Sequence, residues 1–229
     1  MKVVHKEDGV VTLLHPTDDV STSGVDCLMC AYEPVCYDTV ADFLPDGSRA
    51  AEIGCFLGGS ACILWHGMTR RGKRLMLACH DLFQPFEVNG EVHDIESAFD
   101  ANTSGWNVDV VKIKGDSKKT HDVHQDASLD YCFVDGDHSY EGALADIKNF
   151  WPKMKRGGFF LVQDSIGDVE KAVEAALCDV PKLLIHPPYG HFITVCNQDT
   201  ELLQAFGKKF ERAMSLAVSQ SACGGPFTI

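Results

Sequence analysis

Residues 129–165 read LDYCFVDGDHSYEGALADIKNFWPKMKRGGFFLVQDS. Residues 129–134 are nearly all apolar, as a strand buried on both faces requires. A polar stretch follows, and residues 140–150 read as a helix stopped by Pro152 and the Gly157-Gly158 pair. Residues 159–162 form a second apolar strand, which ends on Gln163, Asp164 and Ser165. This is one strand, helix, strand unit, and the same alternation extends in both directions.

Upstream, residues 32–44 read as a helix with Val35, Val40, Phe43 and Leu44 on one broad face, ended by Pro45-Asp46-Gly47. Residues 49–53 read as a strand, and 60–68 as a helix capped by Ser60. Strands are expected at 74–79 and 108–113, with a helix at 91–101 between them. Downstream, 168–177 is a helix with Val169, Val173, Ala176 and Leu177 inward, and 183–185 and 192–196 are two closing strands. Leu202, Leu203, Phe206, Phe210, Ala213, Met214 and Ala217 line one side of a last helix, read as core packing or as a surface for a second copy. Strands alternating with helices imply an α/β fold, a doubly wound, mostly parallel, seven-stranded sheet with helices on both faces. Three segments follow: an N-terminal cap or arm at 1–31, the α/β domain at 32–199, and the amphipathic helix and tail at 200–229.

Composition narrows the function. The chain has 229 residues, 45% hydrophobic and 23% charged, ordinary for a soluble globular protein. No apolar run approaches the roughly 18 residues that span a bilayer, and the N-terminal stretch does not read as a signal peptide, so a cytoplasmic location and no membrane partner are expected. With 20 basic and 33 acidic residues the net charge is −13, which repels a nucleic-acid backbone. The densest basic stretch, 69–74, reads as a helix C-terminus, where cations suit the dipole. Ten cysteines, several inside apolar segments, read as reduced thiols packed as small hydrophobes. Cys27 and Cys30 have zinc-ligand spacing, but no second pair completes four ligands.

In a parallel sheet, ligands bind beyond the carboxyl ends of the strands. The unusual residues fall there: the turn from Glu52 through Gly54, Gly58, Gly59 and Ser60, then Asp81, then Asp116-Ser117, then 135–140, then 163–165. The glycines let backbone approach a ligand, and the helix that follows offers free N–H groups. The pattern is GxxxGG, so the dinucleotide fingerprint GxGxxG fails. Asp81 suits the two hydroxyls of a ribose or the cap of a helix. Asp116-Ser117 suits an adenine edge or a helix cap. The densest cluster is Asp135, Asp137, His138 and Glu141. His138 can act as a general base near neutral pH. Asp135 and Asp137 can hold an ammonium group, orient His138, or bind a hard cation.

Glu52-Ile-Gly, Gly58-Gly-Ser, Asp81, Gly115-Asp-Ser and above all DGDHSYEGALADIKNFWPKMKRGG resemble the class I S-adenosylmethionine-dependent methyltransferases, a Rossmann-like fold. Within them they resemble the branch that includes macrocin O-methyltransferase-like proteins. The resemblance covers residues 35–195. It implies that Glu52, Gly54, Gly58, Gly59 and Ser60 hold the methionine part of S-adenosylmethionine, Asp81 the ribose, and Asp116 and Ser117 the adenine, with Asp135 near the methionine end and the acceptor. Relatives of the catechol O-methyltransferase type hold a divalent ion such as Mg2+ on acids that correspond to Asp135 and Asp164. Gln163 and Ser165 depart from that pattern, which leaves the metal open; Gln163 could offer only a carbonyl oxygen. His138 falls where those relatives carry a catalytic lysine. The implied activity is methyl transfer to a hydroxyl of a small-molecule acceptor, a sugar, phenol or natural product. Phe83, Phe86, Trp106, Tyr189 and His191 are candidates to wall its pocket. A non-catalytic S-adenosylmethionine-binding protein and a nucleotide-sugar or dinucleotide enzyme are the alternatives.

Overall fold

A computed structural model describes residues 2–5, 11–14, 25–27, 33–88, 91–186, 193–221 and 227–228. Tyr189, His191, Cys30 and Cys223 lie outside the described residues. In chain order the elements begin with three short strands, β1 (Lys2–His5), β2 (Val11–Leu14) and β3 (Val25–Cys27). The alternating part follows as α1 (Glu33–Phe43), β4 (Ser48–Ile53), α2 (Gly59–Thr69) and β5 (Leu75–Asp81). A hairpin, β6 (Phe86–Val88) and β7 (Glu91–His93), precedes α3 (Ile95–Gly105), β8 (Val110–Lys114) and the short α4 (Ser117–Thr120). Then come β9 (Leu129–Val134), α5 (Tyr140–Phe150), β10 (Met154–Val162), α6 (Gly167–Leu177), β11 (Lys182–Ile185) and β12 (Ile193–Cys196). The last elements are α7 (Thr200–Ser221) and β13 (Phe227–Thr228).

Seven strands form the main sheet in the order β11-β12-β10-β9-β4-β5-β8. The five from β10 to β8 are parallel, and β12 is antiparallel to both β10 and β11. The expected doubly wound α/β sheet is therefore the fold. The chain enters at β4, winds outward through β5 to β8, and returns to β9 on the other side of β4. The topological switch lies between β4 and β9, where adjacent loops diverge and leave a crevice. Strand β9 is buried throughout, and its side chains divide between two cores. Tyr131 and Phe133 pack with α1, α2 and α7, while Cys132 and Val134 pack with α5 and α6. Outside this sheet, β13, β1, β2 and β3 form a small antiparallel sheet that joins the two ends of the chain.

Four local readings change. Ser60 does not cap α2: the cap is Gly58, at φ +82, and the Ser60 hydroxyl donates to Glu52 instead. The helix expected at 91–101 starts at Ile95, because Asp94 caps it by accepting from the Ser97 amide, and the residues before it pair as a hairpin. The Gly157-Gly158 pair lies inside β10, where it absorbs a register shift between Met154 and Phe159. Packing against β9 extends the strand through residues that would break an isolated one. The cations of 70–74 act on a different helix: the Lys73 ammonium donates to the carbonyls of Ala41, Asp42 and Leu44 at the end of α1. Arg70 and Arg71 pair with Asp38, and Arg74 with Asp46.

Cys36, Cys55, Cys62, Cys79, Cys132 and Cys196 are buried free thiols, as their apolar neighbours suggest. Leu203, Phe206, Phe210 and Ala217 of α7 join the core, which makes core packing the role of that face within the chain. No helix among the described residues is long and apolar enough to cross a membrane.

Candidate active site

At the carboxyl ends of the parallel strands lies a cavity of about 870 Å³. That is near the top of the range of roughly 300–1,000 Å³ typical of small-molecule sites. Its wall includes Gly54, Gly59, Ser60, Asp81, Asp116, Ser117, Asp135, His138 and Asp164. Segments separated by more than a hundred residues thus converge on one space. Of the residues expected to hold a ligand, Glu52 and Gly58 stand behind the wall.

The β4 end is pinned to β5 on one side and β9 on the other. The Gly54 amide donates to the His80 carbonyl (2.9 Å), and the Asp135 amide to the Ile53 carbonyl (2.8 Å). Gly54 sits at φ +80, and a Cβ there would lie 2.0 Å from the Asp135 carbonyl oxygen. Only glycine fits, for conformation and for space. Phe56 in the same turn sits at φ +44, a costly conformation for an aromatic residue. Asp81 holds it there: one carboxylate oxygen accepts from the Cys55 (2.7 Å) and Phe56 (3.1 Å) amides, the other from the Phe83 amide (2.7 Å). Asp81 is thus a clamp on two strained turns, and its second oxygen keeps one acceptor direction for a ligand. Glu52 is buried under the turn, and the loss of hydration pushes its carboxyl up to about 8, against the Ser60 hydrogen bond and with the help of the charges of Asp135 and Asp81.

Asp116 caps α4 by accepting from the Lys118 amide (3.0 Å), and it faces the cavity as well. Ser117 donates to Asp146 of α5 at 2.5 Å. Sequence reading missed Asp146, although a carboxylate among the inward positions Ala143, Ile147 and Phe150 is a signal of a buried polar role. Burial pushes its pKa up, and the Ser117 bond only partly opposes that. Behind this loop, His80 is buried with Nδ1 2.9 Å from the Thr120 hydroxyl and Nε2 2.9 Å from His124 Nε2. Burial, then the charges of His124 and His121, push it down to about 3, so the ring is neutral.

On the other side of β4, Asp135, His138 and Asp164 come together. His138 Nε2 is 3.1 Å from Asp135 and Nδ1 is 3.4 Å from Asp164. One donor atom from each falls within 4.8 Å of the others. Asp164 reaches this place from a left-handed turn at φ +50. Asp137 does not join: it accepts from the Ser139 amide (2.9 Å), and this bond and the Ser139 hydroxyl hold its pKa down. Gly142 leaves room for that carboxylate, since a Cβ there would come within 2.2 Å of it. The Gln163 side-chain oxygen accepts from the Tyr37 hydroxyl at 2.9 Å. Among the candidate pocket aromatics, Phe86 lines the cavity, with Phe56 edge-on to it at 5.8 Å. Phe83 and Trp106 are instead core residues, on Phe99 and His66 respectively.

The arrangement offers the first turn of α2, whose leading amides have no intrahelical acceptor, with a carboxylate and a polar pair on one side of the switch point. On the other it offers a base between two acids. Comparison with known proteins gives the family and the fold. A family model described as a methyltransferase domain matches residues 51–165, from within β4 to just after β10. No curated protein matches. Solved structures share the fold. Cofactor-bound Rv0187 from MTB is 17% identical with a TM-score of 0.57, covering 80% of this chain and 84% of its own. The SAH-bound Podospora anserina methyltransferase PaMTH1 is 16% identical with a TM-score of 0.53, covering 72% and 76%. An rRNA methylase from Streptococcus thermophilus is 12% identical with a TM-score of 0.54, covering 70% and 92%.

Proposed function

The chain belongs to the methyltransferase-domain family, and we propose that it binds S-adenosylmethionine and methylates a hydroxyl oxygen of a small molecule. The observation that carries this reading is the division of one cavity by β4. The Gly54 turn, Asp81, Asp116 and Ser117 lie toward β5 and β8, while Asp135, His138 and Asp164 lie toward β10. An adenosyl group laid along the first set brings the sulfonium to the β4–β9 crevice, beside Asp135. The acceptor then enters over the second set.

The sulfonium carries an activated methyl, so the protein has to align oxygen, carbon and sulfur and remove one proton. His138, half exposed at the cavity edge, takes that proton. Carboxylates face both ring nitrogens, so the charged ring can donate to each and the proton is held where it is taken. The same donor set fits a divalent cation: Asp135 and Asp164 would hold it, leaving the imidazole for the proton, and the ion would lower the acceptor hydroxyl's pKa. A small acceptor, rather than a nucleic acid, is favoured by the net charge of −13 and by the internal pairing of Arg70, Arg71 and Arg74.

Calorimetry with S-adenosylmethionine and its demethylated product, with and without a divalent ion, tests the reading. Binding of both is expected, followed by methyl transfer to a member of a hydroxyl-acceptor panel. Binding of neither refutes it. Binding without transfer across the panel refutes the catalytic part, and activity that survives exhaustive chelation and ignores added ion removes the metal.

A further inference from the structure

Gln163 is a wall residue whose amide the proposed chemistry leaves unused. Its partner Tyr37 is 0% exposed, and Gln163 is 4% exposed. A buried phenol needs an acceptor for its proton, because without one the group is left desolvated and unpaired. Among the described residues the acceptor for Tyr37 is Gln163 Oε1. Burial, then the charges of Glu33 and Asp135, push the phenol well above its ordinary range, so it remains a donor at any working pH. Turning the amide over would set its NH2 group against that O–H and leave the proton without an acceptor. The ring itself is fixed on α1 by packing against Phe133, with centroids 5.0 Å apart. The Gln163 amide donates from the backbone to the Val134 carbonyl (3.0 Å), which holds the start of the side chain in the sheet register. With the oxygen taken by Tyr37, the NH2 group is the end of the side chain left over, and Gln163 lines the cavity together with Asp135, His138 and Asp164.

We propose that Tyr37 is a positioning residue that locks the Gln163 amide with its two N–H donors in the cavity, where they bind an oxygen of the acceptor molecule beside its reacting hydroxyl. This rests on the methyl-transfer reading. The strand order supplies the side: two strands, β9 and β4, separate β10 from β5, on the far side of β4 from Asp81 and Asp116, so Gln163 faces the acceptor and not the adenosyl group. The chemistry recognised is an oxygen lone pair, from a carbonyl, hydroxyl or ether next to the methylated position. A group with only N–H to offer would face two donors and be rejected, which is the strong form of selectivity that buried polar groups provide.

Neutron diffraction from exchanged crystals of the ligand-free protein tests the lock directly. The expected map has the Tyr37 deuterium on the line to Gln163 Oε1 and both amide deuteriums in the cavity; the reverse orientation overturns the proposal. In Tyr37→Phe the amide should be turned or split between two orientations while melting stays cooperative, and an unchanged amide removes the positioning role. Gln163→Leu should leave affinity for the demethylated cofactor within about threefold while lowering kcat/KM for the acceptor about tenfold or more. A larger loss of cofactor affinity, or an unchanged kcat/KM, refutes the acceptor contact. A wild-type protein that binds no cofactor removes the methyl-transfer reading and the acceptor contact together, and the neutron map then judges the lock alone. A Mn2+ titration separates the competing use of the amide: Gln163→Leu should leave Mn2+ binding unchanged, whereas weakened binding would mean that the oxygen, not the NH2 group, serves the cavity.

Discussion

Replacing Gly54 with alanine measures how closely the β4 and β9 ends must approach. The added Cβ would lie 2.0 Å from the Asp135 carbonyl oxygen, where ordinary contact begins near 3.4 Å, so backbone has to move by about 1.4 Å. Neither partner is a flexible side chain. The movement strains the Gly54 amide bond to His80 and the Asp135 amide bond to Ile53, each worth about 1 kcal/mol. Left-handed backbone adds about 1–2 kcal/mol for an L-residue. The sum is at least about 3 kcal/mol, or roughly 6–12 °C in Tm for a chain of this length. Gly72→Ala is the control. It has φ +68 but nothing within 4 Å of the new Cβ, so only the conformational part, about 1–2 kcal/mol, should appear. Urea unfolding of both variants, with calorimetry of cofactor binding, makes the comparison. Gly54→Ala should also lose binding, because the turn that leads into the first amides of α2 shifts with Asp135. If the two variants lose the same stability, within about 0.5 kcal/mol, the close approach is not what glycine supplies and the account of the crevice is wrong.

Three further outcomes follow from the geometry. His138→Ala should lower turnover about 10²–10⁴-fold with cofactor affinity nearly intact, and an unchanged turnover number would remove the base. Glu52, raised to about 8 by burial, keeps its proton in the fold and gives it up on unfolding, so stability should fall as pH rises from 4.5 toward 8. In Glu52→Gln that fall should vanish from urea titrations; a wild-type slope that persists would contradict it. His80 has the opposite sign: its folded value near 3 lies below the ordinary 6.5, so the unfolded chain takes the proton first and stability should fall as pH drops through that window. His80→Gln should flatten the acid slope by up to about 1.4 kcal/mol per pH unit, and an equal slope in both proteins would show that the ring is protonated in the fold.

The strand and helix order was legible because each element announces itself locally. The apolar run of β9 and the breakers at 45–47 decide their state without reference to the rest of the chain. The residues that face the cavity were legible for a topological reason. Every strand of a parallel sheet ends on the same edge, so listing strand-end residues lists the wall. What each wall residue does was not legible. Asp81 reads as a ribose ligand or a cap, and nothing in its segment shows that it also holds three amides, two of them from a turn about 25 residues away; Ser60 reads as a cap and bonds Glu52. A polar side chain takes whichever partner folding leaves nearest, and that partner comes from another strand. Tyr37 and Gln163 are the extreme case, joined across 126 positions with nothing in either segment to mark the pair. The sequence by itself determined the sheet and the edge on which chemistry would occur, because period and punctuation act over a few residues. Only the tertiary structure decided which nitrogen, oxygen or amide of those side chains is left over for a ligand, because hydrogen-bond satisfaction is settled between segments.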